Sequence, residues 1–307
     1  MNSATFFIST ARSGTQWLCE TLRRIYPDLV VAEHEPIRYA YSPKRCLRNA
    51  AALAEVRTRP AVRRHLDDVH RVLKSKPYVE VGFPAFAAAP LLWEEFGERL
   101  RLVQLVRHPV RVAASVVTHR WFDPGLRSDI QADIAPCPTD PGVVLHHYEK
   151  RWAGMSAFEK ALFYWAEVHL YGMEVEDRFV SVPFLRVTLE NLLLHERSRA
   201  LLTHFIGLPY RPEWNDAPGR NIDSYHRRTL NRIDSQEIRA LPEIANLAAR
   251  FGYDVDAVAR WEIQHRYQLS WLSKLNIRAR RTIRKTFAVG ATLAVLASQS
   301  SDVFAQF

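Results

Sequence analysis

The apolar positions of the first twenty-five residues change period within a few steps. Phe6, Phe7 and Ile8 form a short continuous apolar run, the pattern of a buried strand. Ser9 to Gly14 is a polar turn of small residues with one arginine. From Thr15 onward, Leu18, Leu22 and Ile25 recur at i, i+4 and i+7, one face of a helix. The same reading predicts a strand over Leu29–Ala32, a helical stretch over Ser42–Lys74 broken at Pro60, a strand over Tyr78–Gly82 and a short helix over Pro90–Phe96. Leu102, Val103, Leu105 and Val106 form a near-continuous apolar strand, as expected when both faces are covered. Pro109 then opens a helix whose buried stripe is Val110, Ala113, Ala114 and Val117, with Ser115 off that stripe. Residues 121–152 are irregular and proline-rich, the character of a lid or binding segment. A helix over Phe158–Glu176 follows, on which His169 reads as a core histidine. Phe179–Val182 reads as the last core strand, Leu189–Leu208 is helical, and Leu241–Asp254 forms a closing helix.

Strand, small-residue turn and helix make an anion site. The first helical turn presents N–H groups without intrahelical partners, and the helix dipole places partial positive charge there. Gly14 allows close backbone approach, while Arg12, Ser13 and Thr15 add charge and hydroxyl donors. The loop is not the nucleoside-triphosphate kind, because Gly14 is followed by Thr15 and Gln16 instead of lysine and a metal-binding hydroxyl. Glu33, His34 and Glu35 stand at the end of the second predicted strand, ahead of Pro36, on the same rim as the loop. Arg107 ends the strand over 102–106, and Ser115 follows eight positions later. An arginine fork and a hydroxyl at a strand–helix junction suit a phosphate.

At 307 residues and 48% hydrophobic, the chain can bury a sizeable core. One domain over 1–270 with an extension over 271–307 is expected. The net charge of +9 fits an anionic ligand, nucleic acid or an acidic membrane surface alike. Part of it sits in Arg278, Arg280, Arg281, Arg284 and Lys285, just before the apolar stretch 287–297. Eleven residues at about 1.5 Å each do not span a bilayer core of about 30 Å. Such a segment could lie on an anionic membrane surface through 278–297, pack on the main domain or on a partner, or be disordered. Three cysteines without metal spacing suit free thiols in a reducing, cytoplasmic setting, and the first residues carry no leader-like basic region.

Arg12-Ser13-Gly14-Thr15-Gln16-Trp17-Leu18 resembles the loop by which sulfotransferases hold the 5′-phosphosulfate of 3′-phosphoadenosine 5′-phosphosulfate (PAPS). Glu35-Pro36 is similar to the K-E-P-like signature of several branches, with His34 in the lysine position. Arg107 and Ser115 reproduce the residue types and spacing that bind the 3′-phosphate in that family. HFIGLPY (204–210) and ARFGYD (249–254) are similar to later family segments. The resemblance implies a P-loop kinase-like three-layer α/β fold, a central mostly parallel sheet flanked by helices, and the branch of bacterial, carbohydrate-type enzymes. It implies PAPS binding by Arg12, Ser13, Gly14, Thr15, Gln16, Trp17, Arg107 and Ser115, with Arg220, Arg227 or Arg228 as a late basic cover for the 3′-phosphate. Glu35 is the implied general base, with His34 as its rival, and Arg12 stabilises the leaving phosphate oxygen. No metal is implied and no nucleic acid is expected. The acceptor is a hydroxyl, first a saccharide or glycolipid. The alternatives are a small-molecule kinase on the same kind of fold, and a non-catalytic anion or membrane-surface binder.

Overall fold

Residues Ala4–Ser9 form β1, every one of them buried, at the centre of a parallel five-stranded sheet. The computed structural model describes residues 1–123, 128–216, 229, 233–258 and 260–269. After β1 come α1 (Thr15–Ile25), β2 (Val31–Glu33), α2 (Pro43–Cys46), α3 (Ala50–Thr58), α4 (Pro60–Val72), β3 (Tyr78–Glu80) and α5 (Ala89–Phe96). Then follow β4 (Leu100–Val106), α6 (Pro109–Thr118), α7 (Ser128–Asp133), α8 (Glu149–Trp152), α9 (Ala157–Arg178) and β5 (Phe184–Thr188). The remaining elements are α10 (Leu189–Leu194), α11 (Glu196–Phe205), α12 (Pro242–Arg250) and α13 (Arg260–Tyr267).

The strand order is β2-β3-β1-β4-β5, with every pairing parallel. Two apolar clusters lie on opposite faces of the sheet, because successive strand residues point to opposite sides. Phe6 and Ile8 join the cluster under α3, α4, α5, α6 and α9, whereas Phe7, Val103 and Leu105 join the cluster under α1, α10 and α11. This is the three-layer α/β arrangement expected from the sequence. Because β1 and β4 are neighbours, with Ser9 opposite Leu105, the segments leaving both strands emerge side by side.

Local chemistry sets the helix starts. Pro109 begins α6, and the His108 side chain accepts from the Val110 N–H at 3.3 Å. A reciprocal capping box starts α9: Glu159 N–H donates to Ser156 Oγ (3.1 Å), and Ser156 N–H donates to Glu159 Oε2 (2.8 Å). α9 then crosses the sheet at close range. A Cβ on Gly172 would stand 2.3 Å from Gln104 Nε2 and 3.2 Å from Ile8 Cγ2, so only glycine lets the helix approach β4 and β1 this closely.

Two expectations are corrected. Phe179–Val182 is a turn at the end of α9, closed by Val182 N–H on Phe179 O at 2.9 Å. The last strand starts after Pro183, whose carbonyl accepts from Leu102 N–H, and pairing with β4 begins at Phe184. Proline has no N–H for the ladder and so stands ahead of the strand. The stretch 121–152 also holds more order than its prolines suggest, with α7 and α8 inside it. Residues 271–307, and with them the proposed extension, lie outside the described residues.

Gly172→Ala is expected to destabilise the fold by about 1–3 kcal/mol through overpacking. The measurement is the urea midpoint, which should fall with an unchanged slope.

Candidate functional site

The loop between β1 and α1 is tied down from several directions. Gly14, the residue before α1, has φ 85°, a left-handed conformation open to glycine at no steric cost. A Cβ there would also meet Leu189 Cδ1 at 2.8 Å. The first helical amide to find a carbonyl inside α1 is Leu18, donating to Gly14 O at 3.0 Å. The Thr15 and Gln16 amides therefore belong to the open first turn that favours an anion. Thr10 Oγ1 and Ser13 Oγ lie 2.7 Å apart, both buried.

Arg12 is the point of convergence. Its φ of 68° is left-handed, uncommon for a residue with a side chain. Arg107 Nη1 donates to the Arg12 carbonyl at 2.6 Å, and Arg12 Nε donates to Ser115 Oγ at 2.9 Å. The two residues separated by eight positions in the sequence thus meet on a third. Ser115 is buried, not turned away as its place off the apolar stripe suggested, because α6 is covered on both sides by α9 and α13. Among the described residues Arg107 has no carboxylate within ion-pair distance, and burial pulls its pKa below the usual arginine range.

Consecutive residues of α9 hold both strand exits. Tyr164 Oη accepts from the Ala11 N–H at 2.9 Å, and Trp165 Nε1 donates to the Arg107 carbonyl at 2.9 Å. Sequence reasoning passed over Tyr164, since one more aromatic on an apolar helix face carries no local signal. Tyr253, in the ARFGYD segment, donates to Glu190 Oε2 at 2.6 Å, and Glu190 Oε1 accepts from His108 N–H at 3.3 Å.

From the β2 side, His34 Nε2 lies 3.1 Å from Thr15 Oγ1 and 3.4 Å from Glu35 Oε1. Glu35, like Arg12, has left-handed backbone (φ 51°), and its Cγ would stand 2.9 Å from a Cβ on Gly82. Non-glycine residues held in this region cluster at sites of function. Burial, then the nearby charge of Glu80, raise the Glu35 pKa from 4.5 to about 7, against the opposing pull of Arg12 and Arg38. Burial and then Arg23 lower the His34 pKa to about 4, so its imidazole is neutral at pH 7. Behind them Glu80, which the sequence left without a task, is fully buried, with its Oε2 2.7 Å from His65 Nε2 and 3.4 Å from the Tyr78 hydroxyl. Burial opposes a charged His65, but the hydrogen bond and charge of Glu80 outweigh it and raise the His65 pKa. Glu33 accepts from the Tyr78 hydroxyl at 2.8 Å.

Other candidates lie apart from this convergence. The exposed Gln16 side chain donates to Glu20 at 2.9 Å. The Trp17 indole is buried and meets Trp214 edge-on, with centroids 6.3 Å apart. Arg220, Arg227 and Arg228 lie outside the described residues. His169 is buried in the core, where burial lowers its pKa to about 3. Among the described residues no group of three or more His, Cys, Asp or Glu is arranged to hold a metal, and no helix is long and apolar enough to cross a membrane.

The chain is similar to solved sulfotransferases. One is the sulfotransferase domain from the curacin biosynthetic pathway, at 13% identity over 83% of this chain and 99% of that chain, with a TM-score of 0.47. A second is the sulfotransferase domain from the Synechococcus PCC 7002 olefin synthase, at 13% identity over 83% and 95%, TM-score 0.43. A third is the sulfotransferase from Alicyclobacillus acidocaldarius, at 14% identity over 84% and 98%, TM-score 0.47. No protein-family model matches the sequence, and no curated protein matches it. At such identities the chemistry of the site has to rest on its own residues.

The Glu35 carboxyl is expected to titrate near pH 7, followed by side-chain carbon NMR of labelled protein. Its raised pKa makes a contribution to stability that is complete below about pH 4.5 and lost as pH rises through 7. Glu80→Gln removes a like charge and should move the midpoint downward. A midpoint near 4.5 in the wild type contradicts the burial of this carboxyl.

Proposed function

We propose that this chain transfers a sulfuryl group from PAPS to an acceptor hydroxyl, the acceptor being a saccharide or glycolipid. The observation that carries the reading is the Arg107 guanidinium. It is partly buried, bound to the Arg12 carbonyl, and has no carboxylate partner among the described residues. The charge of Glu190 offsets that burial only in part, and an anionic ligand bound directly to the guanidinium would offset the rest. Ser115, held by the side chain of the same Arg12, adds a hydroxyl, a donor that suits a 3′-phosphate.

The remaining residues fit the other end of such a ligand. The α1 entrance with Ser13, Gly14 and Thr15 suits a 5′-phosphosulfate, and the Arg12 guanidinium suits charge building on a phosphate oxygen. Bound here, PAPS supplies a sulfuryl group already attached to a good leaving group. Glu35, titrating near 7, is matched to accept a proton from an acceptor hydroxyl at neutral pH. His34, with a pKa of about 4, is a poor base there and is better suited to orienting Thr15 and Glu35. The free thiols Cys19, Cys46 and Cys137 support the companion reading of a cytoplasmic setting.

Thermal unfolding with a panel of nucleotides tests the reading. At a hundredfold excess over Kd, adenosine 3′,5′-bisphosphate should raise the midpoint by about 3 °C or more, with little effect from 5′-AMP. A preference for ATP with magnesium would replace the reading with a kinase. No protection by any nucleotide would remove it.

A further inference from the structure

Outward from the loop, α9 carries a second charged recess. Tyr164 and Trp165 meet the exits of β1 and β4, and α9 then runs to the opposite edge, where β5 begins. Its N-terminal turns therefore stand beyond the loop, over the same edge of the sheet. Lys160 precedes Tyr164 by four residues, so the two project from neighbouring turns of one face, about 5–6 Å apart at Cβ. Lys160 lines a cavity of about 200 Å³ with Lys44, Phe122, Gln131, Cys137 and Trp152. Phe122 directly follows Trp121, whose ring lies 5.5 Å from that of Tyr164, the residue that holds the Ala11 amide.

The two ammonium groups of this cavity differ. Lys44 Nζ donates to Gln131 O at 2.7 Å and lies 3.3 Å from Asp140 Oδ2. Lys160 has neither a hydrogen-bond acceptor nor a carboxylate in reach among the described residues, and its Nζ stands 5.2 Å from the centroid of Trp152. The adjacent Glu159 is committed to the cap of α9 and to Arg151. Burial lowers the Lys160 pKa below the usual lysine range against the opposing charge of Glu159, and the Trp152 ring is the partner its ammonium has. Phe122 and Trp152, 6.1 Å apart and nearly perpendicular, line the cavity beside it.

We infer that this cavity receives an anionic group of the acceptor: Lys160 binds its carboxylate or sulfate, and Phe122 and Trp152 hold the ring that bears it. The inference rests on the sulfuryl-transfer reading of the neighbouring loop and names the acceptor class, a hydroxylated ring compound carrying negative charge. A neutral saccharide offers the ammonium no opposite charge.

The test titrates two matched pairs into the full chain, with and without adenosine 3′,5′-bisphosphate, followed by tryptophan fluorescence. The pairs are phenyl β-D-glucuronide against phenyl β-D-glucoside, and glucose 6-sulfate against glucose. The charged member should bind about tenfold tighter or more, as a charge-assisted bond implies. Lys160→Gln should abolish that preference and Lys160→Arg retain it, while nucleotide affinity and the thermal midpoint stay unchanged. Preference in one pair alone supports the inference and assigns the oxyanion. Equal binding within both pairs, no binding of any probe at millimolar concentration, or a preference that survives Lys160→Gln overturns it. A Lys160-dependent preference in a protein that binds no nucleotide would remove the transfer reading and, with it, the cavity's role in an acceptor site.

Discussion

The hydrogen bond from Arg107 to the Arg12 carbonyl holds the two halves of the site in one piece. Arg12 sits in left-handed backbone, a conformation that costs on the order of 1–3 kcal/mol outside glycine and persists only when its surroundings enforce it. The enforcement comes from β4 and α6: Arg107 fixes the carbonyl and Ser115 fixes the side chain. Parallel pairing of β1 with β4 makes this possible by bringing both strand exits to one point of the sheet edge.

α9 is the second constraint. Gly172 lets it lie directly on β1 and β4, and Tyr164 with Trp165 then bonds one backbone group at each strand exit. A helix that packs the core therefore also sets the spacing of the cationic groups. On the far side, β3 lies between β1 and β2 and carries Glu80, whose buried charge acts on Glu35 without being part of its loop. One edge of the sheet thus holds two arginines and a carboxyl whose pKa burial and Glu80 raise to about 7.

Much of this was legible in the sequence. The change of period at Thr15 located β1, the loop and α1, because strand and helix bury residues at different spacings. Arg107 and Ser115 were visible as residue types at a spacing. Their meeting on Arg12 was not, since the contacts join residues 95 and 103 positions apart. Ser115 also shows the limit of a one-stripe reading, because a helix covered on two sides buries its polar positions too. Tyr164 and Lys160 looked like ordinary members of an amphipathic helix until the loop and Trp152 gave them partners. The strand misplaced at Phe179–Val182 had a simple cause: two apolar runs flank Pro183, and only pairing with β4 distinguishes them.

Under the proposed function, the convergence on Arg12 makes Arg107 and Ser115 act on the nucleotide as a unit. Calorimetric binding of adenosine 3′,5′-bisphosphate to the wild type, Arg107→Ala, Ser115→Ala and the double variant measures this directly. The expected result is tight binding by the wild type, a loss of about 1.5–3 kcal/mol for Arg107→Ala, and a double loss smaller than the sum by about 0.5 kcal/mol or more. No binding by the folded wild type, or strictly additive losses, would contradict the account.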